Sequence, residues 1–181
     1  MKCAWCQRLI LGIDLSGQSL NRRGYRVAGG QAPLKENIAA AALRLMEWKD
    51  LSEQGETLLD PMCGSSTLLI EGALIALDQA PGLRRNSFGF DRWLAHDLVQ
   101  WQAIFKEAES RVRQKLPRGI QILGYDSDPF AVERSRENIA RLGLGRFVQI
   151  RCKPLDELTR PTNQSMVNGL LLVNPPWGER M

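Results

Sequence analysis

The residues best suited to chemistry lie in Asn174-Pro175-Pro176-Trp177, directly after the apolar run at 170–173. Two successive prolines remove two backbone donors and force an extended path, so a strand cannot continue past Val173. What stands at its carboxyl end is a stiff turn offering the Asn174 amide, the carbonyls of Asn174 and Pro175, and the Trp177 ring. Open α/β sheets hold their ligands at strand ends of this kind. Two acids close earlier apolar runs: Asp60 follows Thr57-Leu58-Leu59, and Asp126 follows Ile122-Leu123-Gly124-Tyr125. A carboxylate ending the second strand is placed to accept both hydrogen bonds of a ribose. Between the acids comes Pro61-Met62-Cys63-Gly64-Ser65-Ser66-Thr67, a small-residue turn that opens an apolar helix. That layout takes nucleotide-like ligands at a helix N-terminus, and Gly64 lets backbone approach them closely. No Lys-Ser/Thr follows the glycine, so the turn is not a phosphate-cradling P-loop. The gap to Asp126 also exceeds the ~20 residues of a dinucleotide fingerprint.

The elements that must position these residues follow from periodicity and punctuation. Residues 57–60, 121–126, 147–152 and 170–173 read as strands, and 33–49, 68–79, 98–116 and 129–142 as helices. The first helix places Ile38, Ala42, Leu45 and Trp48 on one face, and the third turns Trp101, Phe105, Ala108 and Val112 inward. Asp128 fits an N-cap, Pro129 the first helical position, and Gly143 the stop. Strands alternating with helices imply a parallel, buried sheet. Before them, residues 10–26 read as a hairpin about Ser16-Gly17, and Gly29-Gly30 marks a linker. Arg22, Arg23 and Arg26 on that hairpin could touch phosphates, although a solvated basic strand is the commoner case. Residues 81–93 form a loop bearing Arg84, Arg85, Phe88, Phe90, Arg92 and Trp93, and 154–164 a loop or short helix.

Composition narrows the class. The chain has 181 residues and a formal net charge of +4, with a pI near 9.1. That length suits one domain able to bury roughly 70% of its unfolded surface. The mild basic bias permits a polyanionic partner without requiring one. No apolar run spans a membrane and the first residues show no signal-peptide pattern, so a cytoplasmic location is the expectation. Cys3-x-x-Cys6 is half of a zinc site, with Cys63 and Cys152 scattered and His96 the one histidine. Free thiols and no metal are expected, because structural zinc wants four such ligands.

Asp60-Pro61-Met62-Cys63-Gly64-Ser65-Ser66-Thr67, Gly124-Tyr125-Asp126-Ser127-Asp128 and Asn174-Pro175-Pro176-Trp177-Gly178-Glu179-Arg180 together resemble S-adenosylmethionine-dependent class I methyltransferases. The similarity is strongest to the bacterial guanine-N2 methyltransferases of 23S ribosomal RNA that carry an RNA-binding THUMP domain. It covers about residue 10 to the end, including Arg22-Arg23-Gly24-Tyr25-Arg26 and Ala32-Pro33-Leu34-Lys35-Glu36-Asn37-Ile38-Ala39-Ala40. The resemblance implies a Rossmann-like, mostly parallel sheet lacking its C-terminal strands, preceded by a short N-terminal hairpin. Residues 1–30 would be hairpin and linker to an absent THUMP domain, and 31–181 the incomplete S-adenosylmethionine-binding part.

The same resemblance assigns roles. The turn with Asp60, Cys63, Gly64 and Ser65 would hold the methionine part of the cofactor. Asp126 would bind the ribose hydroxyls, and Asp128 is a weaker candidate near the adenosine. Asn174 and Pro175 would accept hydrogens from an exocyclic amine, and Trp177 would stack on the base, where the family more often has tyrosine. The implied partner is 23S rRNA. This chain departs from the pattern at Ser66, which replaces a glycine, and at Lys153-Pro154-Leu155, where an acid often follows strand three and Asp156 comes two places late. It also stops after strand four, which leaves an exposed apolar edge open to self-association. Two alternatives stand beside this reading: methylation of DNA adenine N6 or a protein glutamine, and an inactive RNA-binding or assembly module.

Overall fold

The computed structural model describes residues 12–26, 34–159 and 168–175. Thr57–Asp60 forms β1, a short apolar strand with little exposed surface, as parallel strands under helices have. Ile122–Asp126 (β2), Val148–Cys152 (β3) and Gly169–Leu171 (β4) complete one sheet. Its order is β3-β2-β1-β4 and every neighbouring pair is parallel. Asp60 sits opposite Gly124, and Leu59 opposite Leu171. The expected α/β class with a parallel sheet is the one observed.

Five α-helices accompany the strands among the described residues: Glu36–Leu45 (α1), Trp48–Glu53 (α2), Thr67–Ala76 (α3), Leu98–Ser110 (α4) and Pro129–Arg141 (α5). The α3 sequence, TLLIEGALIA, is apolar nearly all round, and almost every residue in it is buried. Such a helix must be covered on both sides. The sheet covers one side and α1 with α2 the other. Two glycines permit the close packing. At Gly72 of α3 a Cβ would stand 2.4 Å from Leu58 Cδ2, and at Gly124 of β2 it would stand 2.4 Å from Leu69 Cδ1 and 2.7 Å from Ile150 Cδ1. The Trp48 indole, fully buried, donates to the Gly72 carbonyl at 2.9 Å and fastens α2 to α3.

The ends of α5 are those expected. Asp128 caps it by accepting from Phe130 N–H at 2.9 Å, Pro129 opens it, and Gly143 closes it at φ +68°. On α4, Trp101, Phe105 and Ala108 are the half-buried positions, as their spacing predicts. Trp101 meets Phe88 and Phe90 edge-on at 5.0 and 4.8 Å.

Several expectations need correction. The hairpin lies partly outside the described residues, and 12–26 contains no strand, only bends and a turn. That segment is held instead by residues far along the chain: Phe90 N–H donates to the Leu15 carbonyl at 3.1 Å, and the Arg85 guanidinium donates to the carbonyls of Ser16, Gln18 and Ser19. The helix expected at 33–49 is two helices, because Glu47 adopts a left-handed φ of 54°. Its inward face is Glu36, Ala39 and Leu43, while Ile38 and Leu45 are exposed. α4 ends six residues before Leu116, and β4 stops two before Val173.

Gly124→Ala is expected to destabilise the chain by about 1–3 kcal/mol, the range for overpacking a core, because the methyl group would push α3 away from the sheet. Urea unfolding of the two proteins measures it; a difference below about 0.5 kcal/mol would mean that the Leu69 and Ile150 side chains yield freely.

Candidate functional site

Parallel pairing brings the carboxyl ends of β1, β2 and β4 to one edge of the sheet. Asp60 ends β1, Asp126 ends β2, and the β1–β4 ladder runs on through Leu172 N–H, which donates to the Leu59 carbonyl at 3.0 Å. Asn174 and Pro175 follow directly and are exposed. Pro176 and Trp177 lie outside the described residues, as do Cys3 and Cys6.

The turn after β1 is pinned to β2 and α5. Cys63 N–H donates to the Tyr125 carbonyl and Gly64 N–H to Asp126 Oδ2, both at 2.8 Å. The Gly64 carbonyl accepts from the Ser135 hydroxyl, and the Ser65 carbonyl from Asn138 Nδ2 at 3.2 Å. Asp126 Oδ1 accepts from Asp128 N–H at 2.9 Å. Asp126 therefore braces both the turn after β1 and the turn after β2. Asp128 spends one carboxylate oxygen on capping α5, and the other lies 3.6 Å from Arg134.

Ser66, where the family pattern has glycine, sits at φ +61°, ψ 28°, in the left-handed region. Its side chain does not point outward to crowd a ligand. It is fully buried, with the Cys63 thiol beside it but in no geometry that makes a hydrogen bond. Backbone strain and a stranded hydroxyl are both costly here.

Burial governs the two ionisable groups of the turn. Asp60 is 2% exposed, and desolvation pushes its carboxyl up to about 7, with the Met62 N–H at 3.1 Å opposing the rise and the Asp126 charge adding to it. Desolvation likewise pushes the Cys63 thiol up to about 12, so it is no thiolate nucleophile. No group of three or more metal-ligating side chains occurs among the described residues, and no described helix is long and apolar enough to cross a membrane. His96 packs its ring on Phe90 at 5.2 Å. Arg84 donates to the Leu142 carbonyl at 2.7 Å.

Behind the turn lies a cluster that residue spacing does not reveal. Arg23 pairs with Glu71 and Arg26 with Glu36, each at 3.1 Å, and both carboxylates are buried. Arg23 and Arg26 are thus engaged by carboxylates, whereas Arg22 is exposed. The one sequence signal was Glu71, a lone acid in an otherwise apolar helix, which needs a buried cation.

Two substitutions test this geometry. Ser66→Gly should stabilise the chain by about 1 kcal/mol, relieving ~1–2 kcal/mol of left-handed strain at the cost of ~0.5–1 kcal/mol of added chain entropy; urea midpoints decide. For Asp60 the folded value lies above the unfolded one, so its contribution to stability is full below about pH 4 and is lost as pH rises through about 7. Asp60→Asn, a mimic of the neutral form, should therefore gain on the parent as pH rises from about 4 to 7, up to a ceiling of about 4 kcal/mol. A gap that stays flat across that range would show an unshifted carboxyl.

Comparison with known proteins bears on the family and the fold. The family model described as UPF0020, RMKL-like methyltransferase domain, matches residues 23–181. The chain is 49% identical over 174 residues to the ribosomal RNA large subunit methyltransferase K/L of Saccharophagus degradans, which covers 96% of this chain and 23% of that protein. It is 50% identical over 172 residues to the protein of that name from Desulfotalea psychrophila, covering 94% and 23%. The chain thus spans about a quarter of the length of these relatives. Among solved structures, SMU.472, assigned as a methyltransferase and complexed with SAH, superposes with a TM-score of 0.78 at 37% identity, covering 93% of this chain and 41% of that one. A Listeria monocytogenes protein assigned as an N6-adenine-specific DNA methylase superposes with a TM-score of 0.77 at 35% identity, with the same coverage. With a match over residues 23–181 and the parallel sheet that positions the three strand tips, the chain belongs to the RMKL-like methyltransferase domain family.

Proposed function

We propose that this chain binds S-adenosylmethionine and serves methyl transfer to the exocyclic N2 of a guanine in 23S ribosomal RNA. The observation that carries the reading is the shared edge: the ends of β1, β2 and β4 open the same way, and Asp126 is tied to the Gly64 amide of the turn. The turn with Asp60, Cys63, Gly64 and Ser65 would cradle the methionine part, whose ammonium and sulfonium charges suit a buried carboxylate. Asp126 would accept from the ribose hydroxyls, with Asp128 beside the adenosine. The relatives' name supports a ribosomal RNA substrate, and the SAH complex of SMU.472 supports the cofactor.

Guanine N2 is a poor nucleophile because its lone pair is delocalised into the ring. Asn174 Oδ1 and the Pro175 carbonyl, both acceptors, would bind its two hydrogens. The lone pair would then localise toward the sulfonium methyl in line with the breaking bond. Catalysis on this account is positioning and electrostatics, with no metal and no strong base. Trp177 would stack on the base turned out of the RNA, a contact worth ~1–3 kcal/mol. A second reading, transfer to adenine N6 in DNA, is favoured by the assignment of the Listeria neighbour. Acceptor pairs bind that amine equally well.

Transfer of labelled methyl separates the readings, since rRNA but not DNA or protein should take it up. Labelling of DNA alone would replace the first by the second. Asn174→Ala should reduce transfer by about a hundredfold or more, the range for losing a transition-state contact. Its affinity for S-adenosylmethionine by calorimetry should stay nearly unchanged. Equal loss of both would contradict the role given to Asn174.

A further inference from the structure

Arg26 makes more contacts to the turn region than any role in ion pairing requires. Its Nε donates to Glu36 Oε1 at 3.1 Å, and its Nη2 to the Leu34 carbonyl at 2.9 Å and Thr67 Oγ1 at 3.1 Å. Its Nη1 reaches Ser65 Oγ at 3.3 Å, and the Ser65 and Thr67 hydroxyls are themselves 3.3 Å apart. One planar fork therefore joins the start of α1, the start of α3 and the turn between β1 and α3. Lysine, a compact charge without the fork, cannot span these partners at once. Three residues earlier, Arg23 meets both oxygens of Glu71, one helical turn beyond Thr67 on α3. Tyr25, which lies between them in sequence, is 1% exposed; burial raises its phenol, and the charges of Glu71 and Glu36 add to the rise. The cluster holds two arginines and two glutamates, so it presents no net charge to a polyanion.

The turn needs outside support. Gly64 at φ +52° and Ser66 at φ +61° place two left-handed residues within three positions, and such conformations persist only where surrounding contacts over-determine them. Asp126, Ser135 and Asn138 hold the turn from the sheet and α5. The Ser65 and Thr67 hydroxyls are reached from the opposite side by Arg26.

We infer that Arg26 is a positioning residue for the cofactor turn, its guanidinium holding the Ser65 and Thr67 hydroxyls so that residues 63–67 keep their ligand-receptive shape. The inference rests on the reading of this turn as the cofactor cradle. It makes Arg26 part of the binding apparatus without contact to the ligand.

The test uses the 181-residue chain with Arg26→Ala, Arg26→Lys and, as the control, Arg23→Ala, which breaks a like ion pair of the same segment without touching the turn. Calorimetry with SAH measures affinity, and amide exchange without ligand measures the turn. Both Arg26 variants should weaken SAH binding by about tenfold or more, about 1.4 kcal/mol. Exchange at 65–67 should quicken by a similar factor in the same two variants. Arg23→Ala should lower the urea midpoint yet leave affinity and turn exchange within about twofold of the parent. Arg26→Lys keeps the charge opposite Glu36 and carries the test where Arg26→Ala fails to fold. Turn exchange unaltered in the Arg26 variants, or reproduced by Arg23→Ala, overturns the inference. A parent chain that takes up no SAH overturns the cofactor reading instead, while the exchange comparison still decides whether Arg26 sets the turn.

Discussion

A helix with almost no polar face cannot border water, and α3 is such a helix. Its burial organises the molecule. The sheet supplies one wall, and it can come close only because Gly124 leaves room for Leu69. α1 and α2 supply the other wall, fastened by the Trp48 indole at the Gly72 carbonyl. Once α3 is seated, the turn that leads into it has one place to go. It lies across the ends of β1 and β2, where Cys63 N–H finds the Tyr125 carbonyl. The position of the candidate site is thus a consequence of how an apolar helix is covered.

The polar groups at that site follow from the same burial. Asp60 is enclosed by the turn it begins, so desolvation pushes its carboxyl up to about 7. Asp126 stays at the rim, and its two oxygens brace two turns at once. A cation arriving at the strand tips would meet one carboxylate whose charge is suppressed by burial and another already arranged by backbone donors. Preorganised acceptors of that kind cost no rearrangement when a ligand binds.

Buried ion pairs rarely add net stability, since desolvation of both partners offsets their attraction. What Arg23–Glu71 and Arg26–Glu36 supply is registry. Each glutamate accepts a guanidinium in one arrangement, so the segment at 23–26 can lie along α3 in one way only. Two arginines of the basic run, Arg23 and Arg26, are therefore scaffolding, while Arg22 stays exposed. Arg84 and Arg85 tell the same story on the loop at 81–93, where backbone carbonyls accept from their terminal nitrogens and the Arg85 guanidinium lies over the Phe88 ring.

Where local chemistry suffices, the sequence alone determined the outcome. Asp128, Pro129 and Gly143 bound α5 because cap, first-turn proline and left-handed stop act within a few residues. The β1, β2 and β3 runs, their parallel pairing, and the acids at two strand ends were legible as well. Other features depend on partners far along the chain. α1 buries Glu36, Ala39 and Leu43, and not Ile38 and Leu45, because Glu36 must meet Arg26 and Leu43 must meet α3. The expected hairpin gives way to an irregular path because Phe90 and Arg85 satisfy its carbonyls in place of a partner strand. Hydrophobic period and turn residues report only on neighbours in sequence. Which buried charge finds which counter-charge, and so what stands behind the turn after β1, is settled by the three-dimensional packing of segments that no local pattern connects.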